Sequence, residues 1–327
     1  MVSLVTYNGK KYLPFCLESL FNQSYQDWHL FVLDNGSRDE TLSVIKNIIQ
    51  DRANVTVLPP QPTNIGFAAG HNSIIKQADS AYVLLLNQDI IMAPDYLEKL
   101  VIFLDGHPRA GAIAGLLLRW EVARGTAQLS ERSDNVIDSA GLRVRPRLQV
   151  VEQGSGEADR GQYNATEEVF GVSGALPLLR RQALAEAGVF DERFFSYKED
   201  VDLAFRLQHA GWQSFRVGSA RAWHERGVGA PVVLGRGETA RRRRLKTPRA
   251  NYLSYRNHWY ILIKDVALSD WWRYGIVVLW YEVQKLAYLV MFEQKTLYAW
   301  VEIVQALPKL LKKRRIIQPK SLRRWIT

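Results

Sequence analysis

The chain has 327 residues, with 47% hydrophobic and 23% charged side chains, a balance too apolar for a disordered chain and too charged for a multi-span membrane protein. Its 43 Lys and Arg against 33 Asp and Glu give a formal charge of +10. The single cysteine, Cys16, excludes an internal disulfide and suits a reducing compartment, and the residues after Met1 lack the basic region and long apolar run of an export signal. A cytoplasmic location is expected.

Residues 2–6 predict a short buried strand, followed by Leu13, Cys16, Leu17, Leu20 and Phe21 at helical spacing with Pro14 near the helix start. The alternation repeats: strand at 29–33, a helix with Leu42, Ile45, Ile48 and Ile49 on one face, strand at 55–58, helix near 66–78, strand at 82–86, then a helix opened by Pro94. Four strand–helix units in this stretch predict a parallel, doubly wound α/β sheet with right-handed crossovers, to which 111–118 adds a fifth strand. Residues 119–168 have few periodic apolar positions and read as long loops or short edge strands around a cleft. Order returns at 169–180, followed by helices near 181–187 and 200–210 and a strand ending near Val217.

Charge marks a boundary near residue 240. Residues 1–240 carry 24 basic and 28 acidic side chains, whereas 241–327 carry 19 basic and 5 acidic, together with six of the ten tryptophans. A catalytic domain at 1–240 and a basic, aromatic-rich helical extension at 241–327 follow.

In an open parallel sheet, ligands bind in the crevice at the carboxyl ends of the strands. Here the strands run into Thr6-Tyr7-Asn8-Gly9, Asp34-Asn35-Gly36-Ser37, Asn64-Ile65-Gly66 and Asn87-Gln88-Asp89. Each group alone suits a turn or a helix cap. Four on one edge point to a polar ligand.

Asp89 follows a buried apolar run, where an isolated carboxylate is costly without a cation; one carboxylate plus substrate phosphates is a usual way to hold Mg²⁺. Glu199-Asp200-Val201-Asp202 places three acids at the start of an apolar-periodic helix. They complement the helix dipole, or they supply a general base, because clustered acids raise one another's proton affinity. His224, in Trp223-His224-Glu225, is by residue type more often structural than a ligand. Gly174, between Ser173 and Ala175, allows close backbone approach to a ligand.

The ordered motifs VTYNGKKYL, VLDNGSRDET, NIGFAAGHN, LLLNQD, VFGVSGA, FDERFFSYKEDVDLAFRLQHAGW and AWHERG resemble an inverting glycosyltransferase of family 2 with a GT-A fold, most similar to the bacterial rhamnosyltransferases of that family. The resemblance spans about residues 2–262. It implies that Thr6, Tyr7 and Asn8 line a nucleotide pocket, that Asp34 accepts from the pyrimidine N3–H, and that Asn35, Asn64, Gly66, Asn72, Asn87 and Gln88 complete the nucleotide-sugar site. It further implies that Asp89 holds the metal, Mg²⁺ or Mn²⁺, with His224 as second ligand or diphosphate contact. Asn87 stands where the D-x-D element of the family has its first Asp. Asp200 resembles the catalytic base, with Asp202 as the alternative, and Ser173, Gly174 and Trp212 would face the acceptor. The Gln-x-x-Arg-Trp motif of processive members is absent, which implies single-sugar transfer. Residues 137–172 resemble the rhamnosyl branch and imply dTDP-rhamnose as donor, with UDP-sugars as the alternative, and a glycan or lipid-linked acceptor in cell-surface polysaccharide assembly.

Residues 274–292 are nearly long enough to span a bilayer, but Glu282, Gln284 and Lys285 interrupt them. Trp271, Trp272, Trp280, Tyr281 and Trp300, with Lys309, Lys312, Lys313, Arg314 and Arg315, favour instead an amphipathic helix at the inner membrane surface. Packing on the catalytic domain or in a homo-oligomer is the alternative. Arg241–Arg244 suggests nucleic acid, but no helix-turn-helix, zinc or RNA-recognition pattern accompanies it and the cleft domain is net acidic, so no nucleic-acid partner is expected.

Overall fold

The structure, a computed structural model, describes residues 1–120, 133–225, 243–244, 246–314 and 323–326. Of the sequence features above, Arg241, Arg242, Arg315 and part of the 119–168 segment lie outside these residues.

The first half alternates as its apolar spacing predicts: β1 (Val2–Thr6), α1 (Leu13–Phe21), β2 (Leu30–Asp34), α2 (Thr41–Ile49), β3 (Val55–Val57), α3 (Phe67–Ile75), β4 (Tyr82–Asn87), β5 (Ile90–Met92), α4 (Tyr96–Gly106) and β6 (Ala110–Trp120). The segment without periodicity supplies β7 (Ser133–Ser139), seven residues long, and the three-residue strands β8 (Leu142–Val144), β9 (Val150–Glu152) and β10 (Glu167–Val169), and β11 (Leu178–Arg180) lies in the ordered stretch after it. Then come α5 (Arg181–Ala187), α6 (Glu199–His209) and β12 (Gln213–His224). The last strand runs seven residues past Val217, where the sequence reading ended it, because register shifts between Val217 and Arg221 let it continue along β6. His224 therefore sits on a strand end rather than in a loop beyond it.

The main sheet has the order β10-β12-β6-β11-β4-β1-β2-β3. β1 pairs in parallel with β2 and β4, β2 with β3, and β12 with β6. β11 is antiparallel to both β4 and β6 and joins the two parallel sets, so the sheet is mixed and mostly parallel. Leu4, Leu17, Leu30, Val32, Leu84, Leu86 and Leu100 close one core beneath it, each contributing about 1.5–3 kcal/mol by leaving water.

The C-terminal region forms α7 (Pro248–Lys264), α8 (Leu268–Phe292) and α9 (Ala299–Lys312). Thr247 caps α7, its hydroxyl accepting from the Ala250 amide at 3.2 Å, and Pro248 fills the first turn, where no amide is needed. Tyr255, Ile261, Leu289 and Ile303 from these helices share one core with Phe170, Phe194, Val201 and Phe205. The extension thus packs directly behind the helix that begins with Glu199 and Asp200.

Candidate active site

At the carboxyl ends of β1, β2 and β4, side-chain amides wire the loops together. The Gln88 amide accepts from the Tyr7 backbone N–H at 2.9 Å and from the Thr6 hydroxyl, and donates to the Tyr7 carbonyl at 3.1 Å. Thr6 is buried and Tyr7 stays exposed. Asn8 has φ near +50° and accepts from the Arg38 N–H at 2.8 Å. Asp34 is buried and accepts the Ser37 N–H at 3.1 Å and the Ser37 hydroxyl. Asn35 accepts from Ile65 at 2.9 Å and donates to Asn64 and to the Gly66 carbonyl, each at 3.2 Å, while Asn64 accepts the Gly66 N–H at 2.8 Å. Gly66 has φ +90°, and a Cβ there would lie 2.5 Å from the Phe195 carbonyl oxygen, so this loop needs glycine for both reasons. The three strand ends thus share one polar, hydrogen-bonded edge of the sheet.

Asp89, at the end of this wiring, meets the far end of β12. Because β5 pairs with β12 in the register His224↔Ile90, the His224 Nε2 lies 3.5 Å from Asp89 Oδ1, and its Nδ1 lies 2.9 Å from Asp138 Oδ2. Burial alone would lower the imidazole, but the Asp89 charge and the Asp138 hydrogen bond outweigh it and push His224 up to about 10. Arg119 Nε stands 3.9 Å from Asp138 Oδ1, so Arg119 and the imidazolium balance Asp138 and Asp89, and a divalent cation would take the place of the His224 proton. An imidazole fixed through one nitrogen by a carboxylate, with the other nitrogen facing a second carboxylate, is donor chemistry that fits a divalent metal. Among the described residues no group of three or more His, Cys, Asp and Glu side chains is arranged to hold one alone, so substrate phosphates and water would supply the remaining oxygens.

The Asn87 N–H donates to the Ala175 carbonyl at 3.1 Å, which sets the 173–175 turn against the end of β4. Gly174, in that turn, donates its N–H to Asp200 Oδ2 at 2.9 Å, and Val201 donates to Asp200 Oδ1 at 2.8 Å. Asp200 is thereby oriented by two backbone donors and stays partly exposed. Asp202 is fully buried, paired with Lys264 and, at 2.8 Å, with Arg206, so it is closed to an acceptor. Burial, then the neighbouring Asp200 charge, raises Glu199 to about 8. Of the three clustered acids, Asp200 alone is not buried.

The loop before Asp200 is strained: Phe195, Tyr197 and Lys198 all have φ between +62° and +72°, a region costly for residues other than glycine. Asn257 of α7 is fully buried and holds this loop, donating to the carbonyls of Phe194, Ser196 and Tyr197 at 2.9, 3.0 and 2.6 Å.

Some expected site residues lie elsewhere. Trp212 is buried just before β12, at the opposite end from His224, with its indole N–H on Glu186 at 2.9 Å, so it does not face an acceptor at the cleft. Asn72 is buried in α3 and exchanges hydrogen bonds with the Phe190 backbone at 2.9 and 3.1 Å; it braces α3 against the 190–194 turn and does not reach the crevice. Ser173 adjoins Gly174, but its buried hydroxyl donates to Glu152 at 3.1 Å. Three residues of the site were not foreseen. Asp138 and Glu152 come from the segment without periodicity, and Asn257 had a signal, since Arg256-Asn257-His258 interrupts an apolar helix.

A mixed, mostly parallel sheet with a polar edge at its strand ends, a carboxylate–imidazole pair on one side and an oriented carboxylate on the other, defines a GT-A type transferase. The glycosyl transferase family 2 profile matches residues 2–188, and the chain belongs to that family; it is a glycosyltransferase. It is 28% identical over 292 residues to the N-acetylglucosaminyl-diphospho-decaprenol L-rhamnosyltransferase of Mycobacterium tuberculosis, covering 83% of this chain and 86% of that protein. Its fold superposes on GalNAc-T7 with UDP, GalNAc and Mn²⁺ at TM-score 0.62 and 13% identity, covering 96% of this chain and 54% of that one. It also superposes on residues 1–349 of S. aureus TarS in complex with UDP-GlcNAc at TM-score 0.56 and 17% identity, covering 95% and 80%.

Proposed function

We propose that this enzyme transfers a single sugar with inversion, L-rhamnose from dTDP-rhamnose, to a hydroxyl of a glycan or lipid-linked acceptor in cell-surface polysaccharide assembly. The observation that carries the reading is Asp200, held by the Val201 N–H of its own helix and by the Gly174 N–H of a turn that is itself hydrogen-bonded to the end of β4. Rhamnose rests on the mycobacterial relative, which covers most of both chains. A UDP-sugar is the second reading, because an Asp34 contact to a pyrimidine N3–H serves thymine and uracil alike.

In this mechanism Asp200 Oδ accepts the proton of the acceptor hydroxyl as its oxygen attacks the anomeric carbon from the face opposite the nucleotide. Gly174 and Val201 keep the carboxylate aimed. The amide wiring of Gln88, Asn35 and Asn64 keeps the crevice preformed, which limits the ordering cost of donor binding. Asp89 and His224 would hold Mg²⁺ or Mn²⁺, which when bound neutralises charge on the departing diphosphate.

The enzyme is read as peripheral to the inner face of the membrane. On α8, Trp272, Ile276, Leu279, Trp280, Val283, Met291 and Phe292 are exposed, between 55% and 92%, whereas Glu282 is turned inward onto His258 at 3.0 Å and Lys285 at 3.6 Å. The charges that interrupt the apolar sequence thus leave its outward face, and α8 is long and apolar enough to cross a membrane by composition. Lying in the interface suits an outward apolar face on a helix whose other side packs on the protein. Trp272→Glu with Ile276→Glu should abolish sedimentation of the full chain with anionic vesicles, and unchanged sedimentation would refute the membrane role.

A donor screen tests the transferase reading: enzyme, Mg²⁺ or Mn²⁺, an acceptor glycolipid, and dTDP-, UDP- and GDP-sugars, with nucleoside diphosphate release as readout. Release from dTDP-rhamnose is expected. Release from a UDP-sugar alone would reassign the donor.

A further inference from the structure

The turn that leads into Asp200 is built around Phe195. Its backbone has φ 62° and ψ −68°, and across it the Ser196 N–H donates to the Phe194 carbonyl at 2.7 Å. This is a γ-turn of the rare positive-φ kind, open to glycine and costly for a residue with a side chain. Strain of this sort persists where the surroundings over-determine it, and it gathers at functional sites.

The carbonyls of this turn go two ways. Those of Phe194, Ser196 and Tyr197 accept from Asn257 of α7. The Phe195 carbonyl, reversed by the positive φ, accepts instead from the Ala68 N–H at 3.2 Å, in the first turn of α3, where a helix leaves its amides unpaired. A Cβ on Gly66 would stand 2.5 Å from that carbonyl oxygen and 2.7 and 2.8 Å from two atoms of the Phe195 ring, so both groups rest against Gly66. The Arg249 guanidinium, from the first turn of α7, stands 4.8 Å from the ring centroid. Gly66 in turn accepts from the Asn35 amide at 3.2 Å. Phe195 thus stands between the loop assigned to the nucleotide and, five positions further along the chain, Asp200.

We propose that Phe195 is a positioning residue. Its ring and carbonyl pin the strained turn to Gly66 and α3, and the turn sets the direction in which the chain enters α6, which brings Asp200 to the N–H groups of Gly174 and Val201. Without the ring the turn relaxes and Asp200 leaves these two donors. This rests on the transferase reading above and adds the residue that ties the donor side of the site to the proposed base.

The test is residue-resolved hydrogen exchange on the full chain, beside turnover with the donor found by the screen and affinity for UDP and dTDP, in wild type, Phe195→Ala, Phe195→Gly and Phe195→Tyr. In the alanine and glycine variants the Gly174 and Val201 amides should exchange about tenfold faster, while the Asp202 amide, bonded to the Lys198 carbonyl at 3.0 Å, keeps its rate. Their kcat should fall by about tenfold with both nucleotide affinities unchanged. Phe195→Tyr, which keeps the ring, should match the wild type. Phe195→Gly should melt no lower than Phe195→Ala, because glycine accepts the positive φ. Arg249→Gln, at an exposed position, should speed the same two amides and serves if the other variants do not fold. Unchanged exchange at Gly174 and Val201 overturns the proposal. An equal rise at Asp202 also overturns it, since the whole helix would then have loosened, as does a loss of nucleotide affinity with kcat intact. Release of the two amides in a protein that turns over no donor would sink the transferase reading and leave the positioning of Asp200 standing.

Discussion

Asn257 donates its side-chain amide to the carbonyl of Tyr197 at 2.6 Å, tying a helix of the C-terminal region to the strained loop that delivers Asp200. Because the same amide reaches the carbonyls of Phe194 and Ser196, Asn257→Asp would set a carboxylate against three acceptors. An unsatisfied buried polar group costs about 1–3 kcal/mol, more when charged. Denaturant melts should show at least this loss. Turnover should fall about tenfold with donor affinity retained; full activity would mean the loop holds its shape without this clamp.

Gly174 is the second support of Asp200, the proposed base. A Cβ at that position would stand 3.2 Å from the Asp200 Cβ and 3.5 Å from its Oδ2, close enough to push the carboxylate aside. Gly174→Ala should lower kcat by about ten- to a hundredfold, since small misplacements at a reacting centre carry penalties of that order. Steady-state kinetics with nucleotide affinity measured in parallel checks this, and an unchanged kcat would release Gly174 from the role.

Lys264, almost fully buried, bridges Asp191 at 3.2 Å and Asp202, joining α7 to both sides of the segment that carries Asp200. The Arg193 hydrogen bond and the Lys264 charge overcome burial and hold Asp191 well below the ordinary carboxylate range. Lys264→Met takes one partner from each of two buried carboxylates, Asp191 keeping Arg193 and Asp202 keeping Arg206, so the loss should stay below the roughly 3–5 kcal/mol of a fully unpaired buried charge. The thermal midpoint should drop by several degrees.

The strand–helix alternation of residues 2–106 was readable because each buried face imposes its own period on the sequence, as Leu4, Leu17, Val32 and Ile45 illustrate. The polar strand ends were readable for the complementary reason, since nothing in a core calls for Asp34, Asn64 or Asn87. Asp138 left no such trace: it sits fully buried in β7 only because His224 arrives from 86 residues away, and pairings at that distance have no local signature. Trp212 misled because an aromatic in a motif looks the same whether it faces a ligand or a core. Glu282 and Lys285 misled in the other direction: a charge within an apolar run reads as exposed until tertiary packing supplies a partner.

Glu199 predicts a pH dependence. Its folded value of about 8, against an ordinary 4.5, means the folded state binds the proton more tightly than the unfolded chain does. The stability from the protonated form is therefore fully present below about pH 4.5 and is lost as pH rises toward 8. Glu199→Gln cannot ionise, so its unfolding free energy should fall less than that of the wild type across this window. Parallel slopes would show that Glu199 titrates normally.

The most direct measurement is turnover of Asp200→Asn against wild type with the donor found by the screen, read as nucleoside diphosphate release and as the anomeric configuration of the product. Loss of a general base typically lowers rate by about 10²–10⁴. The account predicts an inverted product from the wild type, and in the variant a loss of that size with intact folding and nucleotide affinity. Asp200→Asn turning over at the wild-type rate, or a product that retains configuration, would contradict it.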